Sequence, residues 1–128
     1  DGLIKYQAEL KRTVKKMKFK AWDISYDVID LTEDGIGEYA FDFPSATAFI
    51  CEAMNNGMLI LGGDIITHDG KHFNVSCDSW YSESQDPVET AQTAIDYLVN
   101  YYLRNAHSRE KFWVTIVTND DFHIRLVP

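Results

Sequence analysis

Over the first seventeen residues the apolar positions Leu3, Tyr6, Leu10, Val14 and Met17 recur at steps of three and four. That period predicts an amphipathic helix, with lysines on its other faces. The period then changes to two. Trp22, Ile24, Tyr26 and Val28 alternate with Asp23, Ser25 and Asp27, as in a strand with one buried face. After a turn at Glu33-Asp34-Gly35, Tyr39, Phe41 and Phe43 alternate with Glu38, Ala40 and Asp42, so the two strands are expected to form a hairpin. Pro44-Ser45 opens a helix whose apolar side is Phe49, Ile50, Ala53 and Met54. Asn55-Asn56-Gly57 closes it, because glycine accepts the left-handed backbone that ends a helix.

A strand over 58–66 follows, then Asp69-Gly70, a preferred composition for a tight hairpin. The next strand alternates Phe73, Val75 and Cys77 with Asn74, Ser76 and Asp78. Asp86-Pro87-Val88-Glu89 supplies an N-cap, a proline at the first helical position and a capping-box glutamate. Val88, Ala91, Ile95, Leu98 and Tyr102 mark the stripe of this helix, which ends near Asn105. Strands at 112–119 and 122–127, joined by Asn119-Asp120-Asp121, finish the chain. The order is α-β-β-α-β-β-α-β-β. Strands joined by tight turns run antiparallel. One α+β domain over residues 1–128 is therefore expected, with a mostly antiparallel sheet of about six strands and three helices covering one sheet face.

One strand carries an interruption. Met58-Leu59-Ile60-Leu61 breaks into Gly62-Gly63-Asp64 and resumes as Ile65-Ile66. Paired glycines offer no side chain to pack, so Gly62 and Gly63 are expected to bulge the strand and admit another backbone or the Trp80 ring. Asp64 is expected to hydrogen-bond neighbouring backbone. Trp80 and Tyr81 are expected to cap the end of the sheet against a helix.

Size and composition agree with a self-sufficient core. A 14.7 kDa chain exposes ~7,000 Å² when folded against ~21,000 Å² unfolded. The apolar fraction of 45% and charged fraction of 25% are globular values. No apolar run reaches the length of a membrane span, and no signal peptide is seen. Two cysteines make no disulfide framework; Cys51 and Cys77 are expected to be buried free thiols, in keeping with a cytoplasmic location.

Charge changes the picture most, because it is uneven. Residues 1–20 hold seven of twelve basic side chains and two acids, which leaves 18 acids against 5 bases in the remainder, a balance of −13. Such a body repels nucleic acid and membranes and attracts basic proteins. In the expected first hairpin Asp23, Asp27, Glu38 and Asp42 project to solvent, with Asp30, Glu33 and Asp34 at its turn end. These seven are the candidate partner-binding residues, a docking surface for a basic protein.

Candidate chemistry is sparse. His68 and His72 have helical ligand spacing, but the turn between them removes the helix; polar turn residues are the plainer expectation. No nucleophile elbow, phosphate loop or Cys-x-x-Cys pair occurs, and no catalytic residue, metal or cofactor is assigned. Two other functions fit the composition: a small metal-dependent hydrolase built on Asp64, His68, His72 and Asp78, and a small-ligand module using Trp80 and Tyr81.

The segment EAMNNGMLILGGDI, the Asp-Gly turn, CDSWYSE, the capped helix and FWVTIV together resemble the immunity protein 40 family of bacterial polymorphic toxin and contact-dependent inhibition systems. The resemblance spans roughly residues 44–118, resting on Gly62-Gly63-Asp64 after an apolar strand and Asp78-Ser79-Trp80-Tyr81 after the next. It implies a non-catalytic cytoplasmic protein that binds and neutralises a cognate toxin domain. The charge adds the expectation of a basic, nuclease-like partner.

Overall fold

The first strand, β1 (Lys16–Ala21), puts Met17, Phe19 and Ala21 inward and Lys16, Lys18 and Lys20 outward. The computed structural model describes residues 2, 4, 5, 7, 14–36, 39–108, 110–119 and 126–128. Gly2, Ile4, Lys5 and Gln7 are helical, whereas Leu3, Tyr6 and Leu10 of the expected stripe lie outside the described residues. The helix does not run on to Met17. Residues 17, 19 and 21 alternate, and this two-residue period overlaps the last three-residue step of the helical pattern.

β1 turns at Trp22-Asp23 into β2 (Ile24–Asp30), with Lys18 opposite Asp27 and Ala21 opposite Ile24. Trp22 and Asp23 are therefore the turn and not the start of a strand. Both have positive φ, 52° and 61°, as the two central residues of a tight hairpin require. The conformation is costly for a bulky residue. Contact of the Trp22 ring with Phe49, 5.5 Å between centroids, helps hold it.

β2 pairs with the short β3 (Tyr39–Phe41), Val28 opposite Phe41. Helix α1 (Phe43–Asn55) begins at Asp42, whose carboxylate accepts from the Ser45 amide. β4 (Ile60–His68) and β5 (Phe73–Tyr81) form the second hairpin. Its loop is 69–72, closed by the Asp69 amide donating to the His72 carbonyl. Helix α2 (Pro87–Arg104) is capped by Asp86, which accepts from the Val88 amide. β6 (Phe112–Thr118) lies between β4 and β3, and β7 (Leu126–Val127) pairs with β1.

The described residues form an α+β fold with an antiparallel seven-stranded sheet, ordered β5-β4-β6-β3-β2-β1-β7. The last strand does not hairpin with its predecessor but crosses to the far edge. Of the turn expected between them, Asp120 and Asp121 lie outside the described residues.

Helices α1 and α2 pack on one face of the sheet. Phe49 of α1 is the hub, stacked on Phe41 at 4.9 Å and edge-on to Phe19 and Tyr26, each at 5.6 Å. In α2 the buried stripe is Ala91, Ala94, Leu98 and Tyr101, so Val88 and Tyr102 are exposed where burial was expected. Small alanines let the helix approach the sheet, which turns the larger apolar residues aside. The opposite face carries a second cluster of Ile29, Leu31, Ala40, Ile66, Phe73 and Trp113. Cys51 and Cys77 are both exposed, not buried, because the core-facing side of α1 is taken by Phe49, Ile50 and Ala53, and Cys77 falls where the β4–β5 register shifts. Among the described residues no helix is long and apolar enough to cross a membrane.

Candidate interaction surface

The seven acidic residues singled out from the sequence occupy different local environments. Register places Lys18 directly opposite Asp27, and the Lys18 ammonium bonds the Asp27 carboxylate. Asp30 accepts from the hydroxyl and amide of Thr32 and lies 3.5 Å from the Lys15 ammonium. Those hydrogen bonds, with the lysine behind them, hold its carboxyl below the ordinary range. Asp42 caps α1, accepting from the Ser45 amide at 2.8 Å, while the Ser45 hydroxyl accepts from the Asp27 amide at 3.0 Å. Three of the seven are thus tied to the chain's own donors.

Asp23, Glu33 and Asp34 are exposed. Asp23 stands in the β1–β2 turn, and Glu33 and Asp34 in a single 3-10 turn, Thr32–Asp34, beyond the far end of β2. The seven-residue strand separates them by roughly 20 Å. Glu38 lies outside the described residues. The described carboxylates of 23–42 are therefore spread along the hairpin, with Asp27, Asp30 and Asp42 held by the chain's own donors and Asp23, Glu33 and Asp34 exposed.

The glycine pair sits where β4 is squeezed between its neighbours. A Cβ on Gly62 would lie 2.4 Å from the Trp80 carbonyl oxygen, and one on Gly63 2.0 Å from the Thr115 carbonyl oxygen and 2.5 Å from the Trp80 ring. The register of β4 shifts against β6 between Ile60 and Gly62, and against β5 between Asp64 and Ile66. Extra residues at such points bend the strand. The Asp64 amide donates to the Thr115 hydroxyl at 3.0 Å. Its carboxylate makes none of the expected backbone hydrogen bonds among the described residues; alternation points it to the face opposite the helices, between Ser79 and Thr115.

Trp80 and Tyr81 diverge, as neighbours on a strand must. Trp80 is buried on the helix face and stacks on Tyr97 of α2 at 5.4 Å. Its indole N–H has no hydrogen-bond partner among the described residues. Burial, and secondarily the Asp78 carboxylate, push the Tyr97 phenol above its ordinary pKa. Tyr81 is 77% exposed on the other face.

Between Lys71 and Arg104 there is no Lys or Arg, while Asp78, Glu83, Asp86, Glu89 and Asp96 fall in that interval. The interval contains β5 and nearly all of α2, neighbours at one side of the molecule. Exposed Val75, Tyr81, Val88, Val99 and Leu103 lie among these acids.

The hydrolase arrangement does not assemble. His68 is buried rather than a surface turn residue; its Nδ1 accepts from the Gly70 amide at 2.9 Å, and its ring meets Phe73 edge-on. His72 is exposed, and among the described residues no three His, Cys, Asp or Glu side chains are grouped to hold a metal ion. A groove of about 960 Å³ opens beside β3, lined by Lys16, Lys18, Asp27, Glu110, Lys111 and Trp113 among others. Neither Trp80 nor Tyr81 lines it.

Among protein families the chain matches the model described as Immunity protein 40, over residues 30–118. The match begins at the end of β2, earlier than the motif resemblance, and takes in β3 through β6. No curated protein and no solved structure matches the chain.

Proposed function

The chain belongs to the immunity protein 40 family, and from that premise we propose that it is a non-catalytic cytoplasmic protein which neutralises a cognate toxin domain by forming a stoichiometric complex with it. The family match carries this proposal. Charge supports its second part, that the toxin domain is basic and nuclease-like. A nuclease binds phosphates through cationic groups, and the balance of −13 beyond residue 20 complements such a surface. Asp23, Glu33, Asp34, Asp64 and Glu83 have no amine partner among the described residues, so their charge is available to a partner.

The direct test is co-expression with the toxin domain encoded beside the gene. Restored growth and a one-to-one complex on gel filtration are expected. Association should slow by about tenfold between ~50 mM and ~500 mM salt, as screening removes long-range attraction. A toxin that kills equally well in the presence of this protein would overturn the neutralising role. Salt-independent association would overturn the electrostatic part alone.

A further inference from the structure

The two edges of the sheet are unlike. β7 offers two residues beside the lysines of β1, whereas β5 offers nine. Exposed edges are commonly protected by lysine, proline or a bulge. β5 contains neither lysine nor proline, and its irregularity is confined to Ser76–Asp78, opposite Ile65. Ser79-Trp80-Tyr81 beyond it keeps regular register with Asp64-Gly63-Gly62.

The direction of the backbone there follows from two contacts. The Trp80 carbonyl faces β4, where a Cβ on Gly62 would strike it, and the Ser82 amide donates to the Leu61 carbonyl at 2.9 Å. Successive residues of a strand turn their N–H and C=O to opposite sides. Ser79 and Tyr81 therefore present theirs outward, at an edge where both residues are exposed. Asp78 and Glu83 flank this segment in the chain and Glu89 accepts from the Ser84 hydroxyl just beyond it, with no Lys or Arg from 72 to 103.

Resting on the toxin-binding function proposed above, we infer that the β5 edge at Ser79–Tyr81 is the docking site, and that an extended basic segment of the toxin adds to the sheet as an eighth strand. Backbone pairing supplies the geometry, the exposed Tyr81 ring an apolar contact, and the flanking carboxylates the preference for cationic side chains. The opposite edge is unsuited to such a segment, since Lys18 and Lys20 stand beside it.

The test uses the full chain and the neighbouring toxin domain. On complex formation the amides of Ser79 and Tyr81 should exchange hydrogen at least about tenfold more slowly, because each acquires an acceptor. Ser79→Pro removes an outward N–H at a position where an edge strand tolerates proline. Tyr81→Ala removes the ring. Each should raise Kd about tenfold or more with the melting temperature within about 2 °C of wild type, while Lys20→Gln on β1, at the other side of the sheet, leaves Kd within about twofold. If Ser79→Pro fails to fold, exchange in the wild-type complex and Tyr81→Ala still decide the question. A wild-type complex whose edge amides gain no protection, or which tolerates Tyr81→Ala, refutes the site and leaves toxin binding standing. Absence of any wild-type complex refutes toxin binding, and the site with it. Dimerisation of the free chain through β5 would assign the edge to a second copy instead.

Discussion

Replacing Gly63 with alanine tests the packing at the centre of the sheet. The new methyl would stand 2.0 Å from the Thr115 carbonyl oxygen and 2.5 and 2.8 Å from Cη2 and Cζ3 of Trp80. Carbon and oxygen rest no closer than about 3.3 Å, so the overlap exceeds an ångström. The oxygen is backbone of β6, a central strand, and cannot swing aside. The indole is buried and stacked on Tyr97. β4 and β6 must therefore separate locally and stretch their ladder.

Overpacking of this kind costs about 3 kcal/mol, the upper part of the usual range. Alanine recovers roughly 0.5–1 kcal/mol because it has less backbone freedom to lose. A net loss of about 2–2.5 kcal/mol remains. With ~2.1 cal/mol/K per residue for unfolding and 128 residues, that lowers the melting temperature by about 7–9 °C. Gly35→Ala is the internal comparison. A Cβ there meets nothing within 4 Å, but φ is +68°, so only the left-handed penalty of about 1 kcal/mol applies, or about 4 °C. Thermal melts followed by circular dichroism give both values. A Gly63→Ala protein melting within about 2 °C of wild type, or above Gly35→Ala, would refute the close approach of β4 to β6 and Trp80.

Thr90 is fully buried, and its hydroxyl accepts from the Ile60 amide and donates to the Pro87 carbonyl, each at 3.0 Å; Thr90→Val should cost about 1–3 kcal/mol in urea denaturation by stranding that amide, and a loss below about 0.5 kcal/mol would contradict it. Asp69 accepts from the amides of His72 and Lys71, which lower its carboxyl pKa from 3.8 to about 2. The depressed value stabilises the fold above pH ~4, and this contribution disappears as pH falls through about 2. NMR titration should place the midpoint near 2, and Asp69→Asn should flatten the melting-temperature profile between pH 4 and 2; a midpoint near 3.8 would negate the turn geometry. Glu83→Lys with Glu89→Lys should slow toxin association more than Asp23→Lys with Asp34→Lys, although both pairs change net charge equally. Equal stopped-flow rates would show that net charge alone governs encounter.

Local signals were the legible ones. Asp86-Pro87-Val88-Glu89 marked the start of α2, and the Tyr39 and Phe73 alternations marked β3 and β5, since caps and pleats depend on neighbours in sequence. The second hairpin was legible from Asp69-Gly70, although its central residues are Gly70 and Lys71, with Gly70 at φ 100°. β1 escaped because a Trp-Asp pair does not advertise a turn. Once Trp22-Asp23 is known to be one, Lys18 must face Asp27 across it, and the neutralised middle of the acidic hairpin follows. Pairing of β7 with β1 depends on strand order alone, which no local pattern encodes. The outward rotation of Val88 and Tyr102 likewise depended on how closely Ala91 and Ala94 allow α2 to approach the sheet.

Strand order also decides what the uneven charge can do. In sequence, the lysines of residues 1–20 directly precede the Asp-rich segment 23–42, and the hairpin joins the two so that they partly cancel. The acids of 72–103 are flanked only by Lys71 and Arg104, and neither forms an ion pair with them among the described residues. β5 and β1 are separated by β4, β6, β3 and β2, five spacings of ~4.8 Å, or about 24 Å. That is about three Debye lengths at physiological ionic strength, so the lysines of β1 do little to offset the carboxylates near β5. Among the described residues, charge is therefore uneven across the sheet, lysines and carboxylates partly cancelling beside β1 and carboxylates in excess beside β5. A cationic partner approaching such a molecule experiences a torque as well as an attraction, and the torque turns the longer, unpaired edge toward it.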